Sequence, residues 1–275
     1  MALATCADVA ELDPDDRPLL PALAAQGIKA VPAVWDDRGV DWGSFDLVVL
    51  RSTWDYAERR DEFLAWARSL PRVLNDVPVL DWNTDKERYL TNLEAAGVPI
   101  VPTRFLPPGA DFQSPGHPFV VKPTISAGGR SSAWFAPGED GAARALVARI
   151  HAGGRTAMIQ PHIADQPETA AVFVAGAYSH ALRRHVRLPS AEHHDVLYLD
   201  ERLEQADATA EQRRIAELAV AQAPGELLYA RVDLIGNAVL ELELTEPSLY
   251  FAFGGGSIER FACAIEVVLA DTLSR

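Results

Sequence analysis

The chain has 275 residues, 48% of them hydrophobic and 23% charged, enough to bury a sizeable core divided among two or three subdomains. A net charge of −14 argues against a nucleic-acid partner, because no basic stripe is present to meet a phosphate backbone. No apolar run is long enough to span a bilayer, no basic leader opens the chain, and Cys6 and Cys263 lie far apart, features that predict a soluble cytoplasmic protein in a reducing compartment.

Strands alternate with helices over residues 1–80. Ala2 to Cys6 reads as a strand, Asp13-Pro-Asp-Asp as a turn, and a helix opens near Pro18 and stops at Gly27. Ile28 to Val34 is a second strand, and the apolar run Asp46 to Leu50 a third. It empties into Arg51-Ser52-Thr53-Trp54-Asp55-Tyr56, ahead of a helix with Phe63, Leu64, Ala67 and Leu70 on its inner side. Such alternation predicts a parallel sheet that receives ligands at the carboxyl ends of its strands. Arg51, Thr53 and Asp55 are therefore candidate contacts for a small polar substrate; the alternative is an aromatic anchor tying the loop to its domain.

Asn83-Thr84-Asp85-Lys86 opens the next helix, with Asn83 or Thr84 as its cap and Gly97 as its stop. Lys86 in the first turn opposes the helix dipole, a placement that a nearby anion would repair and that plain solvation would also allow. Phe119-Val-Val-Lys122-Pro is a strand leading into a loop of small residues, Thr124 to Ser132. Backbone N–H groups of that loop suit phosphates, with Lys122 as the point charge. Because the lysine precedes the glycines and no helix follows them, this is not a P-loop, and an ordinary hairpin loop is the alternative.

Ala142 to His151 reads as a helix and Met158 to Ile163 as a strand leading into a linker-like turn, Ala164 to Pro167. Glu168 to Val174 and Tyr178 to Arg184 form a hairpin around Gly176. Arg183, Arg184, His185 and Arg187 bring cations into an acidic chain, for an anionic substrate or as a charged edge strand. Leu188 to Thr209 lacks periodicity; Ser190 to Asp195 reads as a mobile loop in which His193 and His194 point apart, against a metal site. Glu211 to Gln222 is an amphipathic helix.

Tyr229 to Tyr250 has two β-rich arms around Gly236-Asn237. Leu240, Leu242 and Leu244 alternate with Glu241, Glu243 and Thr245, one face apolar and one acidic. Carboxylates converging on rigid strands suit Mg²⁺, although a solvated hairpin face has the same pattern. A regular two-residue turn would pair Asp233 with Leu240 and put Asp233 and Glu243 on opposite faces, so a shared metal requires an odd loop or a bulge. Phe253-Gly-Gly-Gly-Ser257 then runs into a helix from about Ile258 to Leu273, a candidate site for a substrate carboxylate.

Taken in order, Lys86 on a helix, Lys122 before a glycine loop, Gln160-Pro-His162-Ile163, Glu168, Arg231-Val-Asp233 and Glu243 resemble the ATP-grasp superfamily, D-alanine–D-alanine ligase and glutathione synthetase above all, over roughly residues 81–260. The resemblance implies an α/β chain of the α+β ATP-grasp kind: a substrate-side parallel-sheet domain at 1–80, a central lobe at 81–157 and a C-terminal metal-bearing lobe at 158–275, with the nucleotide between two antiparallel sheets. It further implies that Lys86 and Lys122 meet the ATP phosphates and that Ser126 to Ser132, with Gly128 and Gly129, is the lid. Gln160, His162 and Ile163 would hold adenine, Glu168 the ribose, Asp233 and Glu243 one or two Mg²⁺, and Arg231 the phosphoryl group in transfer. Where the family usually has an asparagine as third metal ligand this chain has Thr245, which leaves Thr245, Glu246 and Glu241 as alternatives.

The RSTWDY loop and the LELTEPSL ending are similar to a subgroup containing the cyclo-ligase that closes O-ureido-D-serine to cycloserine. That likeness implies an amino-acid-like substrate between Arg51, Thr53 and Asp55, Arg184, and the turn Gly255-Gly256-Ser257. The implied activity is an ATP-dependent carboxylate–amine ligase working through an acyl phosphate, with ADP and phosphate as products. A phosphotransferase on the same fold and a nucleotide-binding regulatory module are the alternatives, and the oligomeric state, a homodimer included, is left open.

Overall fold

A computed structural model of the chain describes residues 1–163, 166–190 and 201–273, with side chains as far as residue 270. The loop expected at Ser190 to Asp195, with His193 and His194, and the turn at Ala164 lie largely outside the described residues.

Four parallel strands, β1 (Ala2–Thr5), β2 (Val31–Val34), β3 (Val48–Ser52) and β4 (Val73–Leu74), form the first sheet in the order β2-β1-β3-β4. Successive side chains of a strand point to opposite faces, so each run is shared between two cores. Ala2, Ala4, Val48 and Leu50 pack with Phe63, Leu64 and Ala67 of α2 (Arg60–Ser69). Leu3, Leu47 and Val49 face the other way, onto Leu19 and Leu23 of α1 (Leu19–Ala25) and Phe261 and Ile265 of α7 (Ser257–Leu273). Cover on both faces explains why these strands read as continuous apolar runs.

A second, antiparallel sheet has the order β5-β8-β6-β7, from β5 (Arg104–Leu106), β6 (Phe119–Pro123), β7 (Ala133–Phe135) and β8 (Ala157–Pro161). Phe119, Val121, Ala133, Phe135, Ala157 and Ile159 bury against Leu146, Val147 and Ile150 of α5 (Asp140–Ala152). The opposite face carries Val120, Lys122 and Gln160. Since β8 belongs to this sheet, the change of sheet falls after Pro161, later than the expected break at 157/158.

The third sheet, order β11-β10-β9-β12-β13, contains β9 (Glu168–Val174), β10 (Ala177–Val186), β11 (Glu201–Gln205), β12 (Tyr229–Ile235) and β13 (Ala238–Glu243). Leu90 and Leu93 of α4 (Lys86–Ala95) and Ile215, Ala216 and Ala219 of α6 (Ala210–Val220) cover Ala171, Phe173, Val232, Leu234 and Leu242. A capping box between Thr209 and Gln212 starts α6. Strand β11 was not expected; Glu201, Arg202 and Glu204 give it the charged character of a sheet edge, which hides its periodicity.

Asn83 does not cap a helix. It ends α3 (Val77–Asn83), while Asp85 caps α4 by accepting from the Glu87 N–H at 3.1 Å. The Asn83 amide instead donates to Leu242 O at 2.8 Å and accepts from Leu244 N at 2.7 Å, satisfying the outer edge of β13 as a neighbouring strand would. Asn75 binds Leu228 N, Tyr229 O and Leu244 O in the same manner, and so ties the start of the hairpin to its end.

Candidate active site

The face of the second sheet away from α5 and the face of the third away from α4 and α6 look onto one cleft of about 970 Å³, closed at one end by the first domain. The hairpin β12–β13 supplies its acidic wall. Its turn is two residues long, with Gly236 at φ 56° and Ile235 opposite Ala238. A bulge follows: Leu234 pairs with Val239 but Asp233 with Glu241, leaving Leu240 as the extra residue. Beyond it Val232 faces Leu242 and Arg231 faces Glu243. Arg231, Asp233, Glu241 and Glu243 therefore share the cleft side, while Leu242 and Leu244 are buried on the other. Leu240 departs from the expected apolar stripe and lines the cleft; Val239 takes its place in the core.

Every acid on this wall has a cationic partner. Arg231 holds Asp233 at 3.0 Å and Glu243 at 2.6 Å, Arg184 holds Asp233 at 2.6 Å and Glu168 at 3.0 Å, and Lys122 pairs with Glu241. Burial alone would push Glu241 up, but Lys122 and then Lys86 bring it down to about 2. Glu168 has less help: burial raises it to about 7 against the pull of Arg184. Burial also raises Glu243, with Arg231 opposing. Burial works against both guanidinium groups, yet Asp233 beside each of them raises their pKa and keeps them charged.

Among the described residues no three acid, histidine or cysteine side chains are grouped closely enough to hold a metal ion as they stand. The donor chemistry nonetheless fits Mg²⁺: three carboxylates, Asp233, Glu241 and Glu243, on one rigid face of hard oxygens.

Across the cleft, Lys86 at the start of α4 donates from Nζ to Ser126 O at 2.8 Å and so touches the glycine loop. Gly128 and Gly129 in that loop have φ of 63° and 73°, which only glycine adopts freely. Gln160 donates to Thr103 Oγ1 at 2.9 Å, and the His162 ring stacks on Trp134 at 4.8 Å. Lys86, Lys122, Ser126, Gly128, Gly129, Gln160, His162, Ile163, Glu168, Arg184, Arg231, Asp233 and Glu243 all line the same cleft.

Several expected site residues do not. Arg51 is fully buried, its guanidinium paired with Asp16 at 2.8 Å and donating to Pro247 O at 2.8 Å over the Tyr229 ring. Asp55 accepts from Trp35 Nε1 at 2.7 Å and pairs with Arg59, and Thr53 is buried behind them. That loop lends the cleft Trp54 and Tyr56 instead, so its aromatics reach the site and its charges hold the backbone. Thr245 is also buried, its hydroxyl 3.2 Å from Asn83 Oδ1, and does not reach the acidic wall. Ser257 turns inward to Phe251 O at 3.0 Å, and Gly255 and Gly256 are exposed off the cleft, so the start of α7 is no substrate site.

The segment before that turn lines the cleft instead. Tyr250, at φ 49°, is held by Asp15, whose carboxylate accepts from the backbone N–H groups of Tyr250 and Phe251 at 2.7 and 2.8 Å. Its ring covers Arg231 at 5.4 Å and Arg184 at 5.8 Å, and its hydroxyl donates to Glu201 at 2.9 Å. Burial and the neighbouring Asp16 push Asp15 up to about 6. Asp15, Tyr250 and Glu201 escaped sequence reasoning. The position of Asp13-Pro-Asp-Asp just beyond the carboxyl end of β1 was a signal for the first of these.

A family model described as the N-terminal domain of D-cycloserine synthetase DcsG matches residues 1–75. The chain is 36% identical to the cycloserine biosynthesis protein DcsG of Streptomyces lavendulae over 293 aligned positions, covering 96% of this chain and 97% of that protein. Its fold matches a crystal structure of D-cycloserine synthetase DcsG with a TM-score of 0.84 at 33% identity, over 98% and 99% of the two chains. The D-alanine–D-alanine ligase of Bacillus anthracis complexed with ATP matches at TM-score 0.67 and 14% identity, over 98% and 97%, a likeness of fold.

Proposed function

The chain belongs to the D-cycloserine synthetase DcsG family, and we propose from that premise an ATP-dependent ligase that activates the carboxylate of a small amino-acid-like substrate and closes a C–N bond, the intramolecular cyclisation of O-ureido-D-serine to D-cycloserine being the favoured case. One observation supports it above the others: Lys86 and Lys122 from one side and Arg231, Asp233 and Glu243 from the other, distant along the chain, open onto a single cleft.

In this reading Lys86 and Lys122 bind the phosphates, with the N–H groups of the Gly128-Gly129 loop beside them. Asp233, Glu243 and the adjacent Glu241 would hold Mg²⁺, which supplies charge neutralisation on the phosphates when bound. The substrate carboxylate attacks the γ-phosphorus and the bond to ADP breaks, giving an acyl phosphate. Arg231, buried and firmly charged, stabilises the equatorial oxygens in that step. A nitrogen nucleophile then attacks the acyl carbon, the C–N bond forms, and phosphate leaves; with O-ureido-D-serine the ring nitrogen still carries its carbamoyl group, and water must cleave that second N–C bond, releasing carbon dioxide and ammonia, to give D-cycloserine. The Trp134–His162 stack and Gln160 would hold adenine. Closure of the 126–132 loop over the cleft would keep water from the acyl phosphate.

The test is ADP release that depends on O-ureido-D-serine, with D-cycloserine identified in the same mixture by mass spectrometry. Hydroxylamine should divert the intermediate to a hydroxamate. Substrate-independent ATP hydrolysis alone, or a stable phosphorylated product, would replace the ligase reading with a phosphotransferase.

A further inference from the structure

Among the described residues eight acids line the cleft, and seven are already committed. Asp13 accepts from Asp15 N, Asp15 from Tyr250 N and Phe251 N, and Glu201 from Tyr250 and Arg184. Glu168, Asp233, Glu241 and Glu243 pair with arginine or lysine. The eighth, Glu246, is 8% exposed, and its carboxylate has no hydrogen-bond or ion-pair partner among the described residues. Leaving a carboxylate unpaired at that depth costs stability, which a ligand carrying donors would recover.

The surroundings indicate which donors. The backbone at Glu246 and Pro247 is fixed by the RSTWDY loop: Trp54 Nε1 donates to Glu246 O at 3.1 Å, and Arg51 to Pro247 O at 2.8 Å. Trp54 and Tyr56 line the cleft beside it, so the corner combines one carboxylate with two aromatic side chains, an environment suited to a cation. Its place relative to the chemistry is set by Arg231, which reaches Glu243 with Nη2 at 2.6 Å and Ser248 O with Nη1 at 3.0 Å. Glu246 lies within the segment Arg231 spans. The Glu246 carboxyl also feels the charge of Arg231, so a substrate whose carboxylate meets Arg231 has Glu246 beside it.

We propose that Glu246 accepts the α-ammonium group of the amino-acid substrate, with Trp54 and Arg51 as positioning residues behind it. The assignment rests on the ligase reading above and names the chemical class it requires: an α-amino acid, in preference to a simple carboxylic acid. Burial and the nearby Glu243 push Glu246 up to about 8, consistent with a group that awaits a cationic partner.

The experiment compares O-ureido-D-serine with its analogue lacking the α-amino group, in wild type and in Glu246→Gln, reading KM for each and KM for ATP. A charged hydrogen bond of this kind corresponds to roughly tenfold to a hundredfold in affinity. Wild type should discriminate against the desamino analogue by about that factor, and Glu246→Gln should bring the ratio within about threefold, with the ATP KM unchanged. Discrimination preserved in the variant overturns the assignment. So does a fall in Mg·ADP affinity by titration calorimetry without loss of discrimination, which would make Glu246 a metal ligand. If Glu246→Gln does not fold, Glu246→Asp keeps the charge, shortens the reach and is read by the same ratio. Wild type that neither binds nor turns over O-ureido-D-serine would instead remove the ligase reading, and the two failures are thereby distinct.

Discussion

Asp233 stands directly opposite Glu241 across the β12–β13 ladder because Leu240 is bulged out between that pair and the next, Leu234 with Val239. Side chains on a strand alternate, so one residue of register decides whether an acid meets the cleft or the core. Two deletions separate the causes. Removing Leu240 leaves a regular ladder with the acids still aligned, and ADP formation should stay within about tenfold of wild type. Removing Leu242 turns Glu243 toward the apolar face under α4 and α6, and turnover should fall at least about a hundredfold. Equal activity in the two variants would show that the face of Glu243 is irrelevant.

That bulge marks how far the sequence could be read. The spacing of Asp233, Gly236-Asn237 and Glu243 already required an odd loop or a bulge if one metal was to be shared, and the latter is what the strands adopt. The paired lysines and the alternating strands and helices were legible because each is local. Arg51 was not: next to two hydroxyls at a strand end it has the composition of a ligand loop, and only Asp16, 35 residues away, and Pro247, 196 away, convert it to a buried brace. Glu246 was ambiguous for the same reason, since its lack of a partner is a property of the packed cleft.

Lys122 and Glu241 should therefore be coupled both in activity and in acid stability. Lys122→Ala removes the cation assigned above to the phosphates, and turnover should drop by about 10²–10³. It also strips the partner that holds Glu241 at about 2, below the ordinary carboxylate value of 4.5. A depressed carboxyl contributes stability that is present above pH 4.5 and lost as the pH falls toward 2. Thermal melts from pH 5 down to 2.5 should show that loss in wild type and little of it in Lys122→Ala, whose melting temperature is already lower at pH 5. Parallel curves would place the depression of Glu241 elsewhere.

Arg51→Ala should act first on folding, with little effect on the ATP contacts. It leaves Asp16 buried without its partner and frees Pro247 O, and removal of one member of a buried ion pair costs about 3–5 kcal/mol. Chemical denaturation should register that loss, while the KM for ATP of the folded fraction remains near wild type. An unchanged midpoint would contradict the brace.

Gly254 marks the end of the segment that lines the substrate side of the cleft, and its lack of a side chain is used. A Cβ built there falls 2.4 Å from His180 Nδ1 and 2.5 Å from its Cγ, closer than real contacts allow. His180 cannot retreat freely, because its Nε2 donates to Leu249 O at 2.9 Å and its Nδ1 lies 3.0 Å from Ser179 Oγ. Gly254→Ala must then push the backbone carrying Ser248, Tyr250 and Phe253, which line the cleft on the side assigned above to the amino-acid substrate, and not Lys86 and Lys122, assigned to the phosphates. Stability should fall by about 1–3 kcal/mol, and the KM for the amino-acid substrate should rise while that for ATP does not. Adding His180→Ala makes room for the methyl group, so the double variant should recover part of the loss, with a coupling of more than about 0.5 kcal/mol in a double-mutant cycle. Additive effects would mean that the two residues do not meet.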